Sequence, residues 1–204
     1  MVAEQLRPHG ITDDRVLRAL GAVPREEFVS ADLQPYAYVD RALGIEAGQT
    51  ISQPLVVAAM TQALDVGLED TVLEVGTGSG YQAAVLSLLC SRVITVERAP
   101  VLAEHAAATL RRLGYANVEV VLGDGSEGYP AAAPYPAILV AAAAREVPAA
   151  LLDELAEGGR MAIPVEVVAG GENQELRLYR RLRGAIQYEV LFPVRFVPLV
   201  TGLA

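Results

Sequence analysis

The chain has 204 residues, 52% of them hydrophobic, enough for one α/β domain with a substantial core and too apolar for intrinsic disorder. No apolar run is long enough to span a bilayer, and residues 1–5 lack a signal peptide's apolar core, so a cytoplasmic chain without a membrane partner is expected. A formal net charge of −9 without any basic block argues against nucleic acid, since phosphate contacts need clustered positive charge.

Residues 1–30 read as helical. Ile11, Val16, Leu17 and Leu20 share an apolar face, with Thr12 or Asp13 able to cap it. Pro24 ends that helix, and a short element starts at Arg25; this whole stretch reads as a packing appendage. Between Ser30 and Gln53 the periodicity is lost, and long ordered loops are often functional. Pro54 then opens a helix with Val56, Val57, Met60 and Leu64 as its stripe. Ser52, just before it, has two readings: a cap or near-cap hydroxyl, or a hydroxyl that positions a substrate carboxylate.

A buried strand over 71–75 runs into Gly76-Thr77-Gly78-Ser79-Gly80, followed by a helix over 81–89. Strand, glycine turn and helix in that order make a nucleotide-type cofactor site. A dinucleotide fingerprint would need its third glycine where Tyr81 stands. The spacing G-x-G-x-G after an acidic strand end instead resembles the first motif of S-adenosylmethionine methyltransferases. Cys90 closes an apolar run and reads as a buried structural thiol. A second strand, 92–96, ends at Glu97, about twenty positions past the first glycine, where a ribose-binding carboxylate belongs.

A helix over 101–113 stops at Gly114, and a strand over 118–122 leads into Gly123-Asp124-Gly125. That carboxylate could reach an adenine amino group, or the motif could simply reverse the chain. Strand 138–140, helix 148–156, Gly158-Gly159 and strand 160–164 complete the alternation. This rhythm predicts an α/β fold, a doubly wound and mostly parallel Rossmann-like sheet that binds ligands at its strands' carboxyl ends. Beyond 165, a turn at 169–171 and strands 174–182 and 186–197 predict an antiparallel edge hairpin. Arg177, Arg180, Arg181 and Arg183 read as its solvated face. A single domain is expected: 1–66 a helical extension and substrate loop, 67–165 the cofactor core, 166–204 the hairpin.

The same residues resemble one family, the protein-L-isoaspartate (D-aspartate) O-methyltransferases. The likeness runs through Glu4-Gln5-Leu6-Arg7, 48–54, 73–82, Val96-Glu97-Arg98, Gly123-Asp124-Gly125, Gly158-Gly159 and 195–200. Thr50-Ile51-Ser52-Gln53-Pro54 is its most family-specific element. The resemblance implies methyl transfer from S-adenosyl-L-methionine to the α-carboxylate of isoaspartyl residues in damaged proteins and peptides, by a monomer without a metal. By position, Ser52 matches the family's active-site serine. Glu74, Gly76, Thr77, Gly78, Ser79, Gly80, Glu97, Arg98, Gly123, Asp124 and Gly125 fall on its cofactor side. Thr50, Ile51, Gln53, Phe196, Val197, Pro198, Leu199 and Val200 fall on its peptide side. A carboxylate nucleophile needs no strong base, so Ser52 is expected to orient it by a hydrogen bond. Neither His9 nor His105 completes a recognisable triad with that serine.

Two positions depart from the family pattern: Pro136 replaces an acidic residue, and Ala141 replaces a threonine. They motivate an alternative, a related carboxyl methyltransferase dedicated to an aspartate in one peptide precursor. A nicotinamide-dependent oxidoreductase is disfavoured by Tyr81, and a non-catalytic binding module by the presence together of Ser52, Glu97 and Asp124.

Overall fold

The computed structural model describes residues 1–168, 170–171 and 173–204. Short helical turns over Val2–Leu6 and Arg7–His9 precede α1 (Asp14–Ala22). Asp13 is its cap, accepting the Arg15 N–H at 2.7 Å, and Ile11, Val16, Leu17 and Leu20 are buried. After Pro24 comes a single 3₁₀ turn, Arg25–Phe28. The loop that follows holds a small antiparallel ladder, β1 (Leu43–Gly44) with β2 (Thr50–Ile51), and then α2 (Pro54–Leu64) starts on its proline.

The alternating segments form β3 (Thr71–Val75), α3 (Tyr81–Ser87), β4 (Arg92–Glu97), α4 (Pro100–Arg112) and β5 (Val118–Leu122). They continue with β6 (Tyr135–Val140), α5 (Ala149–Asp153), β7 (Leu155–Glu166), β8 (Gln174–Leu182) and β9 (Ala185–Val194). One seven-stranded sheet results, in the order β5-β4-β3-β6-β7-β8-β9. Strands β3 to β7 pair in parallel, whereas β7-β8 and β8-β9 are antiparallel. The chain leaves β3 toward β4 and β5 and returns to its other side as β6. The crevice where strand order reverses therefore opens at the carboxyl ends of β3 and β6.

Side-chain alternation sends the strands' apolar residues to two cores. Leu73, Val75, Ile94, Val96, Ile138 and Val140 pack with Leu151 of α5. Val72, Val93, Ala137 and Leu139 pack on the other face against Met60 and Leu64 of α2 and Ala83 and Leu86 of α3. Burial on both faces explains why β3, β4 and β6 are mostly apolar, with Glu74, Thr95 and Glu97 as buried exceptions. Each fully buried Leu or Ile contributes roughly 1.5–3 kcal/mol by transfer from water.

The structure departs from the sequence expectations in several places. The helix expected over 148–156 ends at Asp153, and β7 begins at Leu155, carrying Gly158 and Gly159 inside it. The last strand stops at Val194, and the chain turns back toward the crevice. The hairpin arginines do not form one solvated face. Arg181 donates from Nε to the Leu155 carbonyl at 2.8 Å, and Arg177 lies 5.0 Å over the Tyr188 ring. On the opposite side of β8, Arg180 pairs with Glu189, and Arg183 is exposed in the turn. Pro136 falls where the β6–β7 register shifts between Tyr135 and Ala137, a position that tolerates a missing N–H. The turn expected at 169–171 lies partly outside the described residues. Among the described residues no helix is long and apolar enough to cross a membrane.

Candidate active site

The glycine loop leaves β3 with φ of 90° at Gly76, 51° at Gly78 and 87° at Gly80. Left-handed backbone favours glycine, and at Gly80 there is a second constraint. A Cβ there would come within 3.2 Å of Leu110 Cδ1 and 3.4 Å of Ala106 Cβ, both on α4. Gly80 thus caps α3 and lets it sit against α4, rather than facing a ligand. Two buried hydroxyls, Thr77 and Thr95, bond at 2.7 Å and tie the loop to β4.

Beside the loop is a cavity at the expected crevice. Its floor is apolar (Val75, Val96, Ala141, Ala142), and Gly76, Thr77, Gly78, Ser79, Glu97, Arg98 and Gly125 also line it. Glu97 is 6% exposed; it accepts the Gly78 N–H at 2.9 Å and the Ala99 N–H at 3.0 Å, one on each oxygen. A carboxylate has about four lone-pair sites, so two remain for hydroxyl donors. A flat apolar floor beside such an acceptor fits a nucleoside.

Three expected cofactor residues besides Gly80 do not line this cavity: Glu74, Gly123 and Asp124. Gly123 continues the sheet, donating to the Glu97 carbonyl at 2.9 Å. Asp124 caps the turn over Gly125–Glu127 through the Ser126 N–H at 2.9 Å, and it also accepts the Gly202 N–H. Glu74 is wholly buried, and neither of its oxygens has a hydrogen-bond partner. Burial pushes its carboxyl up to about 8, opposed by the nearby Thr95 hydroxyl, which bonds Thr77, and aided by the charge of Glu97.

The cavity's other wall comes from both ends of the chain. Thr50, Ile51 and Ser52 reach it from β2, and Val197, Pro198, Leu199 and Val200 reach it from beyond β9. The latter segment is held in place by Ala143, whose N–H donates to the Val197 carbonyl at 2.8 Å and whose carbonyl accepts the Leu199 N–H at 2.7 Å. A second groove abuts the first, lined by Ala42, Gln53, Val56, Pro193, Arg195 and Phe196, among others. Thr50, Ser52 and Val197 line both. The expected peptide residues Gln53 and Phe196 belong to the groove alone.

Asp40 takes the capping role that one of the two readings gave to Ser52. Its carboxylate accepts the Leu55 N–H in the first turn of α2 at 3.0 Å and the Gln53 side-chain amide at 2.7 Å. Gln53, not Ser52, is the residue at the N-cap, and the capping oxygen comes from Asp40. Among the described residues the Ser52 hydroxyl has no hydrogen-bond partner; only its backbone carbonyl does, accepting from Arg25 at 2.7 Å. Cys90, His9 and His105 line neither cavity. Burial pushes the Cys90 thiol up to about 12, His9 bonds the Gln5 carbonyl, and His105 pairs with Glu46 at 2.5 Å. Among the described residues no cluster of His, Cys, Asp and Glu could hold a metal ion.

Residues 1–204 match the family described as protein-L-isoaspartate(D-aspartate) O-methyltransferase. The chain belongs to this family. A protein-L-isoaspartate O-methyltransferase of Parvibaculum lavamentivorans is 53% identical over 98% of this chain and 90% of its own length. One from Koribacter versatilis is 51% identical over 98% and 89%. A solved protein-L-isoaspartate O-methyltransferase, 30% identical, superposes with a TM-score of 0.87 over 97% of this chain, which spans 64% of that one. A Plasmodium falciparum structure described by the same name, in complex with S-adenosyl-L-homocysteine, is 27% identical with a TM-score of 0.81, covering 98% and 96% of the two chains. The fold described above is thus that of the protein-L-isoaspartate O-methyltransferases.

Sequence reasoning missed Arg25 and Asp40, which brace Ser52 and its helix, because each acts on a distant segment without a local motif. It also missed Gln82, which lines the cavity while donating to Thr61 Oγ1 at 3.0 Å. Of the two family departures, Ala141 stands in the cavity floor and Pro136 outside both cavities.

Proposed function

We propose that this enzyme methylates the α-carboxylate of L-isoaspartyl and D-aspartyl residues in proteins and peptides, using S-adenosyl-L-methionine, as the opening step of repair. The observation that carries this reading is the place of Ser52: a hydroxyl released from helix capping, at the junction of a nucleoside-shaped cavity and a groove open to a chain.

When bound, S-adenosylmethionine supplies an electrophilic methyl group on a sulfonium. Glu97 has acceptor sites left for the ribose hydroxyls, and Val75, Val96 and Ala142 offer apolar contact to a ring. Ser52 donates a hydrogen bond to one oxygen of the substrate carboxylate and leaves the other aimed across the junction. No proton has to be removed, so the gain comes from alignment and exclusion of water. Thr50, Ile51 and residues 196–200 hold the peptide around that carboxylate. We assign the work along the chain accordingly: 67–165 to the cofactor, 1–66 and 166–204 to the acceptor, in a monomer of the cytoplasm that engages neither nucleic acid nor membrane.

The test is incorporation of labelled methyl groups into an isoaspartyl peptide and its normal aspartyl twin. Labelling of the first only is expected. Equal labelling of both, or of neither, rejects the repair reading.

A further inference from the structure

Among the described residues Arg25 is the largest fully buried side chain, 0% exposed, on the short turn after Pro24. Its Nε donates to the Ala37 carbonyl and its Nη2 to the Ser52 carbonyl, both at 2.7 Å. Its guanidinium carbon lies 4.6 Å from the centroid of the Tyr81 ring, and Nη1 has no partner. Tyr81 is itself 1% exposed and follows directly on the glycine loop.

One planar cation thus joins the N-terminal segment, the loop after Ser30, the backbone of Ser52 and the cofactor loop's helix. Burying a guanidinium is costly, and an apolar side chain of similar volume often fills such a site with equal or better stability. What an apolar side chain lacks is donors for two carbonyls on two separate segments in a fixed fork geometry. The Ser52 carbonyl is the one anchor on that residue, since its hydroxyl bonds to nothing within the described chain. Asp40 holds the next residue, Gln53, from the other side.

We propose that Arg25 is a positioning residue of the acceptor site: it fixes the Ser52 backbone against Tyr81, and so aims the Ser52 hydroxyl relative to the glycine loop. This rests on the orienting role given to Ser52 above. Arg25 lines neither cavity, so it acts through the serine and touches no substrate.

The test is a double-mutant cycle with Arg25→Lys, Arg25→Met and Ser52→Ala, read as kcat, as KM for S-adenosylmethionine and as the melting temperature. Lysine keeps the charge and most of the stem but cannot reproduce the fork, so it should not rescue. Each Arg25 substitution is expected to lower kcat about tenfold or more, with KM for S-adenosylmethionine changed less than about twofold. In the Ser52→Ala background the same substitutions should change kcat by less than about twofold, because the group they aim is gone. An equal loss in both backgrounds, or full activity in Arg25→Lys, overturns the proposal. Should Arg25→Met fail to fold, the cycle is read from Arg25→Lys alone. A Ser52→Ala enzyme with undiminished kcat would instead reject the serine's own role, an outcome distinct from additivity.

Discussion

Two carboxylates near the glycine loop have been given opposite tasks by their surroundings. Glu97, on β4, accepts two backbone N–H groups and lines the cavity; Glu74, on the neighbouring β3, has no hydrogen-bond partner among the described residues. For Glu97→Ala we expect cofactor affinity to weaken by about 1.5–3 kcal/mol, the value of hydrogen bonds to a charged group, as read by calorimetry. Unchanged affinity would move the ribose contact elsewhere. Glu74 predicts a pH dependence of stability instead. Its carboxyl is raised from 4.5 to about 8 by burial, so between those values the native state keeps a proton that the unfolded chain releases. Stability is then fullest below the lower value and falls as pH rises toward about 8, by about 1.4 kcal/mol per unit for one proton. Glu74→Gln should melt like the parent at pH ~5 and several degrees above it at pH ~8. A melting difference that does not vary with pH would dismiss this account. For Ser52→Ala, loss of one hydrogen bond to a carboxylate should lower turnover roughly ten- to a hundredfold, with cofactor binding intact by calorimetry. The capping reading of Ser52 could not be set aside from sequence, because the group that caps α2 in its place, Asp40, reaches back from a loop with no periodicity. Its carboxylate takes over the capping of α2.

At the level of elements, strands β3, β4 and β5 were legible almost residue for residue, since each is a short, mainly apolar run bounded by turn residues, with β3 and β4 buried inside the sheet and β5 half-exposed at its edge. Their carboxyl ends carried Gly76, Glu97 and Gly125 into the site with them. The stretch from 148 to 166 was misread because tertiary pairing overrode a helical composition. Leu155 is drawn beside Tyr135, whose N–H donates to the Glu154 carbonyl at 2.7 Å, and the helix stops there. The register then jumps: Tyr135 pairs with Leu155 but Ala137 with Arg160, so Gly158 and Gly159 form a bulge inside β7. They look in sequence like the break before a strand. At Gly159 a Cβ would stand 2.8 Å from the Ala156 carbonyl oxygen and 2.9 Å from that of Tyr135. Backbone on both sides cannot yield cheaply. Gly159→Ala should therefore cost about 2 kcal/mol, or about 4–8 °C in the melting temperature, from overpacking. Because Gly159 lines neither cavity, kcat of the folded enzyme should be unchanged. An unaltered melt would show that the bulge accepts a side chain.

At the scale of the whole molecule, the acceptor site closes only when distant parts of the chain meet over the sheet's carboxyl edge. Ser52 and Val197 share both cavities, yet no periodicity or spacing relates them, and resemblance alone had placed them together. The structure supplies the physical link through the antiparallel end of the sheet. Gln174, at the start of β8, pairs with Val194 and then reaches past it with its side chain. Its carbonyl oxygen accepts the Phe196 N–H at 2.6 Å, and its amide donates to the Phe196 carbonyl at 3.1 Å. This two-point clamp turns the chain out of β9 and delivers residues 196–200 to the groove and the cavity. The cofactor's floor does not depend on it, since Val75, Val96 and Glu97 are held within the parallel part of the sheet. Gln174→Ala removes both bonds without touching either cavity directly. Its expected effect is selective: KM for an isoaspartyl peptide should rise severalfold, as the wall made by Phe196 and Val197 loosens, while S-adenosylmethionine affinity by calorimetry stays near that of the parent. Glutamate at this position would keep the acceptor for the Phe196 N–H but lose the donor to its carbonyl, so Gln174→Glu should fall between the two. Parallel losses in peptide and cofactor binding would mean that the two sites are not built independently, and that the antiparallel end braces the whole crevice.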